Sequence, residues 1–408
     1  MQYVIFLLAD LVLDCLYLVS LPFVLLLLKK EERLERLGLQ SWHRHYDVLF
    51  HAASVGEINA IKPLLQALST RLPHLYILLT CNTITGKKTA ADLPKNISVC
   101  LAPVDVRLAR YRQLKLTRPK LLVVTETEIW PNLLYTASRK HIPVIFINAR
   151  MGERSHQRLL RFKPVLRHLG NTVHAILAQT DADAERYSDI WSVNVLVPGN
   201  LKYAVQLPPY DASAVKMEWG YEKEDKIIVF GSSRPGEEEL ILQVYDELKN
   251  EYDHLKLLLA PRHLNRLGEI KALLAGRQAK FYSQEGRGAD IVILNELGHL
   301  VQAYALCDIA IIGGSFFAFG GHNPLEAAYY GKSILMGPYH KSCFDSVQKL
   351  QAAQAIIICD RDTLKDRLKD ILNNPSAYAH LGINAKQVLA DNGRTLQIHL
   401  DMLSAYLS

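Results

Sequence analysis

The six cysteines (Cys15, Cys81, Cys100, Cys307, Cys343 and Cys359) include no C-x-x-C pair and no metal-ligand spacing. Thiols so scattered behave as small buried hydrophobes, which suits a reducing compartment and excludes a disulfide-stapled scaffold. No low-complexity tract and no internal repeat interrupts the chain, so neither a disordered segment nor a solenoid is expected. No aromatic-rich basic stripe is present, and no nucleic-acid partner is therefore expected. No Lys or Arg precedes Lys29, so the start does not read as a secretory signal peptide. What remains is the composition of a folded protein: 408 residues, 49% hydrophobic and 22% charged. That length exceeds one ordinary core and predicts two domains. The net charge of +6 suits an anionic partner such as a phosphorylated lipid or a nucleotide.

The first thirty residues stand apart. Met1 to Leu28 is almost continuously apolar and is followed by Lys29-Lys30-Glu31-Glu32-Arg33. At about 1.5 Å per residue the segment is long enough to enter or cross a bilayer core of roughly 30 Å. Residues 1–30 are thus expected to form a membrane-anchor helix. The basic Lys29–Arg36 flank sets the body of the protein on the cytoplasmic side. Asp10 and Asp14 lie four apart on one helical face and count against a plain span, so they are expected to face a partner or the interface.

Beyond Arg36, short apolar runs alternate with amphipathic stretches. Strands are predicted at Asp47–Phe50, Leu75–Thr80, Ser98–Ala102, Leu121–Thr125, Val144–Asn148, Ala175–Gln179 and Val195–Val197. A polar stretch opened by Leu207-Pro208-Pro209-Tyr210 reads as a linker over 207–225. Strands resume at Ile227–Gly231, Leu255–Ala260, Ile291–Asn295, Ile309–Gly313, Ser333–Met336 and Ala355–Cys359. Continuous Val/Ile/Leu runs spaced by helical segments indicate parallel sheets. The expected fold is α/β, with two doubly wound Rossmann-like domains (31–206 and 226–408, the second with closing helices) facing across a cleft. Ligands in such sheets bind beyond the carboxyl ends of the strands.

The strand ends carry the chemistry. His51-Ala52-Ala53-Ser54-Val55-Gly56-Glu57 follows the first strand with small residues whose N–H groups could receive an anion. Glu57 would either complement the helix dipole or serve as a general base. Thr125-Glu126-Thr127-Glu128 closes the fourth strand with two acids that an extended backbone would point the same way. Asn148-Ala149-Arg150 and Gly199-Asn200-Leu201-Lys202 follow later strands, the latter placing Lys202 for an anion. Asp181-x-Asp183 reads as a helix start capped by Thr180 rather than a metal site. In the second half, Gly231–Glu239 is a strand–loop–helix entry suited to phosphate or carboxylate. Pro261-Arg262-His263 presents a guanidinium and an imidazole. Gly313–Glu326 is glycine-rich and leads into a helix near Pro324 whose first turn holds Glu326.

In their order, HAASVGE (His51–Glu57), ETEIWPN (Glu126–Asn132), NAR (Asn148–Arg150), GNLK (Gly199–Lys202), PRH (Pro261–His263) and GGHNPLE (Gly320–Glu326) resemble the Kdo transferases of lipopolysaccharide biosynthesis. The resemblance runs through nearly the whole chain. It implies a GT-B glycosyltransferase at the bacterial inner membrane that moves Kdo from CMP-Kdo to a lipid A precursor (lipid IVA), inverting in a single displacement without cofactor or metal. Glu57 then matches the base and Glu126 a second catalytic position, while Lys202, Arg262, Gly298, Asn323 and Glu326 fall on donor-side positions. The first domain would receive the lipid and the second the nucleotide. Two positions depart from the pattern: Gly298-His299-Leu300 where many relatives have Gly-Glu-Leu, and Arg234-Pro235 where many have Thr-His-x-Gly. A transferase for another nucleotide sugar, or a non-catalytic relative, remains the alternative expectation.

Overall fold

The computed structural model describes residues 12–20, 29–42, 44–205, 207–285 and 288–407. Among them lie two seven-stranded sheets whose paired strands all run parallel. The first comprises β1 (Val48–His51), β2 (Ile77–Cys81), β3 (Ile97–Leu101), β4 (Leu121–Thr125), β5 (Val144–Ala149), β6 (Val173–Ala178) and β7 (Asn194–Leu196), in the order β3-β2-β1-β4-β5-β6-β7. The second comprises β8 (Lys226–Ser233), β9 (Leu255–Pro261), β10 (Ala279–Phe281), β11 (Ile291–Ile293), β12 (Ile309–Ile312), β13 (Ser333–Met336) and β14 (Ile357–Ile358), in the order β10-β11-β9-β8-β12-β13-β14. Each sheet is wound outward in both directions from a central pair. The direction of winding reverses between β1 and β4, and again between β8 and β12.

The central strands are apolar through their middles because both faces are covered. In β1, Val48 and Phe50 enter one core with Ile77, Leu79, Val123 and Ile145, while Leu49 enters another with Leu78, Leu122, Val124 and Phe146. A strand with one solvated face would alternate instead. The sequence misses β10, a half-buried three-residue strand at the edge of its sheet.

The boundaries differ from the sequence reading in two places. Residues 1–204 and 392–408 form one compact unit and 205–391 the other. The closing Gly393–Leu407 helix thus leaves the second half of the sequence and joins the first sheet. The cause is a stripe of Leu396, Leu400, Leu403 and Leu407, spaced for one helical face, which fills the core beside Val48 and Phe50. The proposed 207–225 linker contains a helix, Ala212–Glu218, capped by Asp211 and anchored by the buried Val215 and Trp219.

Of the expected anchor, residues 1–11 and 21–28, and Asp10 with them, lie outside the described residues. Residues 12–20 are helical. Asp14 there is buried at 3% exposure, and it does not face a partner. Its carboxylate accepts from Arg107 Nε at 3.0 Å and from the Leu108 amide at 3.1 Å. The Arg107–Thr117 helix has no side-chain cap at Val106, so Asp14 supplies from a distance the acceptor that its first turn lacks. Among the described residues, no helix is long and apolar enough to cross a membrane.

Candidate active site

The ends of β1 and β4 meet at the reversal of the first sheet, the position where open α/β sheets bind ligands. Ser54 caps the Val55–Arg71 helix and accepts from the Glu57 amide at 3.3 Å. Glu57 turns back, accepting from the Ala53 amide at 2.8 Å and the Ser54 hydroxyl at 2.9 Å. This is a capping box shifted by one residue. The Ala53 N–H expected to receive an anion is therefore already engaged by the chain's own carboxylate.

Glu57 is 7% exposed, and burial is the main reason its pKa rises to about 7. The Ala53 and Ser54 hydrogen bonds oppose that rise, and the charges of Glu126 and Glu128 add to it. A carboxyl poised there is about half ionised near neutral pH and more so above it, and its ionised form is basic enough to accept a proton. Two of its lone-pair directions remain available beyond the capping contacts.

Glu126 and Glu128 do not form the extended pair that the sequence suggested. Glu126 sits in the left-handed region at φ 55° and begins a turn. Asn148, at the end of the adjacent β5, does the same at φ 48°. Non-glycine residues adopt this backbone at a cost and only where surrounding contacts over-determine it. Those contacts are present here. The Glu126 amide donates to Ile147 O at 3.0 Å, and Tyr187 donates to Glu126 O at 2.9 Å. Asn148 is buried and acts as a hub. Its Oδ1 accepts from the Leu201 amide at 2.9 Å, its Nδ2 reaches Glu126 Oε1 at 3.5 Å, and its own amide donates to His399 Nε2 at 3.2 Å. Glu126 and the segment carrying Lys202 are thereby tied together, and the closing helix braces both. Lys202 thus belongs to the first unit. The Asp181-x-Asp183 triplet is spent on structure, with Thr180 capping the Asp183 amide and Asp183 accepting from Met151 N at 2.7 Å.

In the second unit, the glycine-rich segment after β12 faces the start of the Glu237–Lys249 helix. Three of its N–H groups are occupied by the chain's own carboxylate. The fully buried Glu237 accepts from the amides of Gly314 (2.7 Å), Ser315 (2.9 Å), Phe316 (2.9 Å) and Arg234 (2.9 Å). Gly313 and Gly314 are required by close approach: a Cβ at Gly313 would meet Ser232 O at 2.6 Å, and one at Gly314 would meet His322 at 2.8 Å. The helix beginning after Pro324 is only five residues long, Leu325–Tyr329, too short to direct a substantial dipole at an anion.

What remains for an anion is a side-chain cluster. Arg234 donates to Nε2 of His263 and lies over the Phe319 ring at 4.7 Å. His322 falls to about pKa 4, through burial first and then the charges of Arg262, Arg234 and His263. Glu326 is pushed up by burial and held back by Arg262. Two guanidinium groups, two imidazoles and a carboxyl therefore share one locality. Asn323 is exposed, with Oδ1 accepting from the Leu325 amide at 3.2 Å. Gly298 lies after β11 at φ 97° with open space where a Cβ would be. Beside it, His299 packs on Tyr282 at 4.2 Å and places Nε2 3.4 Å from Glu296. A cavity of about 450 Å³ opens along the same glycine-rich loop, lined by Ala318, Gly320, Tyr339, His340, Lys341 and Phe344.

Sequence reasoning missed Glu237 and His322, and it did not connect His51 to Glu128. Glu237 had a signal, since it opens an acidic run directly after a glycine. His51 had one too, as the polar end of an apolar strand.

Two parallel sheets of this topology define the GT-B glycosyltransferase fold. Solved structures sharing it include MurG of Acinetobacter baumannii, with TM-score 0.57 and 14% identity over 89% of this chain and 99% of that one. UDP-GlcNAc 2-epimerase of Neisseria meningitidis gives TM-score 0.56 and 13% identity over 88% and 99%. At such identities the likeness is one of fold alone.

The family is narrower. A family model described as 3-deoxy-D-manno-octulosonic-acid transferase (kdotransferase) matches residues 31–205. The 3-deoxy-D-manno-octulosonic acid transferase of Haemophilus influenzae is 30% identical over 371 residues, 88% of this chain and 87% of that protein. That of Aquifex aeolicus is 31% identical over 71% of this chain and 76% of its own length. This chain belongs to the Kdo transferase family and is a glycosyltransferase.

Proposed function

We propose that this enzyme transfers Kdo from CMP-Kdo to a hydroxyl of a lipid A precursor (lipid IVA), with inversion and with Glu57 as general base. The observation that carries the reading is the buried Glu57 carboxyl, raised to about pKa 7 at the sheet reversal with Glu126 and Glu128 acting on it. In the step, the acceptor oxygen bonds to the anomeric carbon as that carbon's bond to the phosphate oxygen breaks. Glu57 takes the hydroxyl proton, and CMP leaves as a phosphate monoester. Glu126 and Lys202, coupled through Asn148, fit roles beside the reacting centre. Arg262 and Glu326 fit the nucleotide, with Arg262 matching phosphate charge and Glu326 ribose hydroxyls. Asn323 and Gly298 complete the donor-side positions.

We further propose attachment to the cytoplasmic face of the bacterial inner membrane, which rests on the apolar 1–28 sequence and its basic flank. The test is an assay of purified enzyme in detergent with CMP-Kdo generated in situ and a tetra-acylated lipid A precursor, read by mass spectrometry. Product heavier by one or more Kdo units supports the reading. Turnover only with a UDP-sugar would replace the donor, and absence of turnover with every donor would favour a non-catalytic relative. Within that assay, Arg262→Ala is expected to raise the donor KM about tenfold to a hundredfold, as befits a charge-assisted hydrogen bond of roughly 1.5–3 kcal/mol. An unchanged KM would remove Arg262 from the nucleotide site.

A further inference from the structure

His51 ends β1 with a fully buried imidazole. Its Nδ1 lies 3.0 Å from the Thr80 hydroxyl on β2. Its Nε2 has no hydrogen-bond partner and stands 3.8 Å from Glu128 Oε2. A buried polar atom left without a direct partner is costly, so the aim of this ring toward one carboxylate calls for a reason. Glu128 is gripped from another side as well. The Trp130 indole N–H donates to the same oxygen at 2.7 Å, and the Trp130 ring stands edge-on to His51 at 5.8 Å.

The support continues outward. Trp130 is the N-cap of the Pro131–Arg139 helix. Asp105 holds the start of that helix by accepting from the Asn132 amide at 3.0 Å and the Leu133 amide at 3.1 Å. Asp105 is held in turn by the buried Arg110, at 3.0 Å. β1 and β4 are neighbours with His51 opposite Val124. The 126–130 segment therefore leaves the sheet beside the segment that carries Glu57.

We propose that Glu128 is a third functional carboxylate of this site, a positioning residue held as an anion by His51 and Trp130, whose negative charge strengthens Glu57 as a base. The proposal rests on the reading of Glu57 given above. The groups facing Glu57 are the Ala53 amide, the Ser54 hydroxyl, Glu126 and Glu128. Those facing His51 are Thr80, Glu128, Arg110 and Asp105. Burial drives the His51 pKa down, so the ring carries a single proton; it serves Glu128 as a donor when the Thr80 hydroxyl, which donates to Phe50 O at 3.0 Å, turns to Nδ1 instead and leaves that proton on Nε2. Burial alone would push Glu128 up, yet its contacts with His51 and Trp130 hold its carboxyl below the ordinary glutamate value. A like charge so fixed disfavours ionisation of Glu57 and makes it the stronger proton acceptor.

The test is the pH dependence of kcat/KM for the full-length enzyme and for Glu128→Gln, Trp130→Phe and Glu57→Gln, with thermal melting to verify folding. Glu128→Gln keeps an oxygen for the indole but removes the charge. It is expected to move the acid limb down by roughly half a unit to one unit and to lower the plateau several-fold, with donor KM within about twofold of wild type. Trp130→Phe keeps the ring and loosens the carboxylate, so its limb moves the same way by less. A folded Glu128→Gln with an unmoved limb, or with its loss confined to KM, overturns the proposal. Should Glu128→Gln fail to fold, Trp130→Phe decides, and an unmoved limb there counts the same way. The two readings fail separately: an active Glu57→Gln removes the base, whatever Glu128 does.

Discussion

Glu57→Gln is expected to lower turnover at least ~100-fold while leaving the melting temperature close to wild type. The substitution separates the two jobs this side chain can do. As a cap, Glu57 accepts from Ala53 N–H and Ser54 O–H, and a Gln carbonyl can keep one of these. As a base it must take a proton, which a neutral amide cannot do. Glu57→Ala removes both roles and should also cost about 1 kcal/mol of stability from the lost cap.

The pH profile gives the second half of the expectation. Burial, with added push from Glu126 and Glu128, brings Glu57 to about pKa 7 against the pull of its two hydrogen bonds. The active form of a base is the deprotonated one, so kcat/KM should be flat above about pH 7 and fall tenfold per unit below it. Residual activity of the Gln variant should lack that limb. Near-normal turnover in folded Glu57→Gln would leave the carboxyl as a helix cap and nothing more.

Glu237→Ala is expected to be the most damaging single change in the second unit. One carboxylate there serves four backbone amides, those of Gly314, Ser315, Phe316 and Arg234. Each buried N–H left without an acceptor costs about 1–3 kcal/mol, and no neighbour can close on the gap while the glycine-rich segment keeps its path. With relaxation and non-additivity, a net loss of about 3–5 kcal/mol follows, a large share of a typical 5–15 kcal/mol stability. Calorimetry should register a fall in Tm of roughly 10 °C or more. Glu237→Gln retains one acceptor oxygen and should fall between. A Glu237→Ala variant that melts like wild type would mean that the loop does not depend on this carboxylate.

Much of the fold was readable from local pattern. Leu121–Thr125 and Ser333–Met336 were predicted to the residue, because a strand covered on both faces shows as a continuous apolar run. The edge strand Ala279–Phe281 escaped because half-burial leaves no such run, and Lys280 sits in its middle. The closing helix was assigned to the wrong unit for a different reason. Its leucine stripe states that one face is buried but not which sheet covers it. The Ala212–Glu218 helix was read as linker because the flanking prolines announce a turn more loudly than seven residues announce a helix.

The site divides in the same way. Glu57, Glu126 and Arg262 could be picked out as candidates because each follows a recognisable apolar run, and the carboxyl ends of parallel strands are where such sheets place chemistry. Their surroundings were not legible. The N–H groups after β1 read as open, yet Glu57 engages that of Ala53 from four residues away, and Glu237 serves the glycine-rich loop from 77.

By itself, then, the order of residues determined two parallel α/β sheets, the loops that bear the candidate functional groups, and the family motifs those loops spell. Those are properties of local periodicity and of side-chain type, which every short segment carries with it. Only the tertiary structure decided that β4 lies beside β1, so that Glu126 and Glu128 act on Glu57. It alone set His51 against Glu128, gave Asp14 to the Arg107–Thr117 helix, and spent the glycine loop's donors on Glu237. Contacts of that kind depend on strand order and burial across long sequence separations, and so does the pKa of a buried carboxyl, because it reports the dielectric and the charges that folding brings around it.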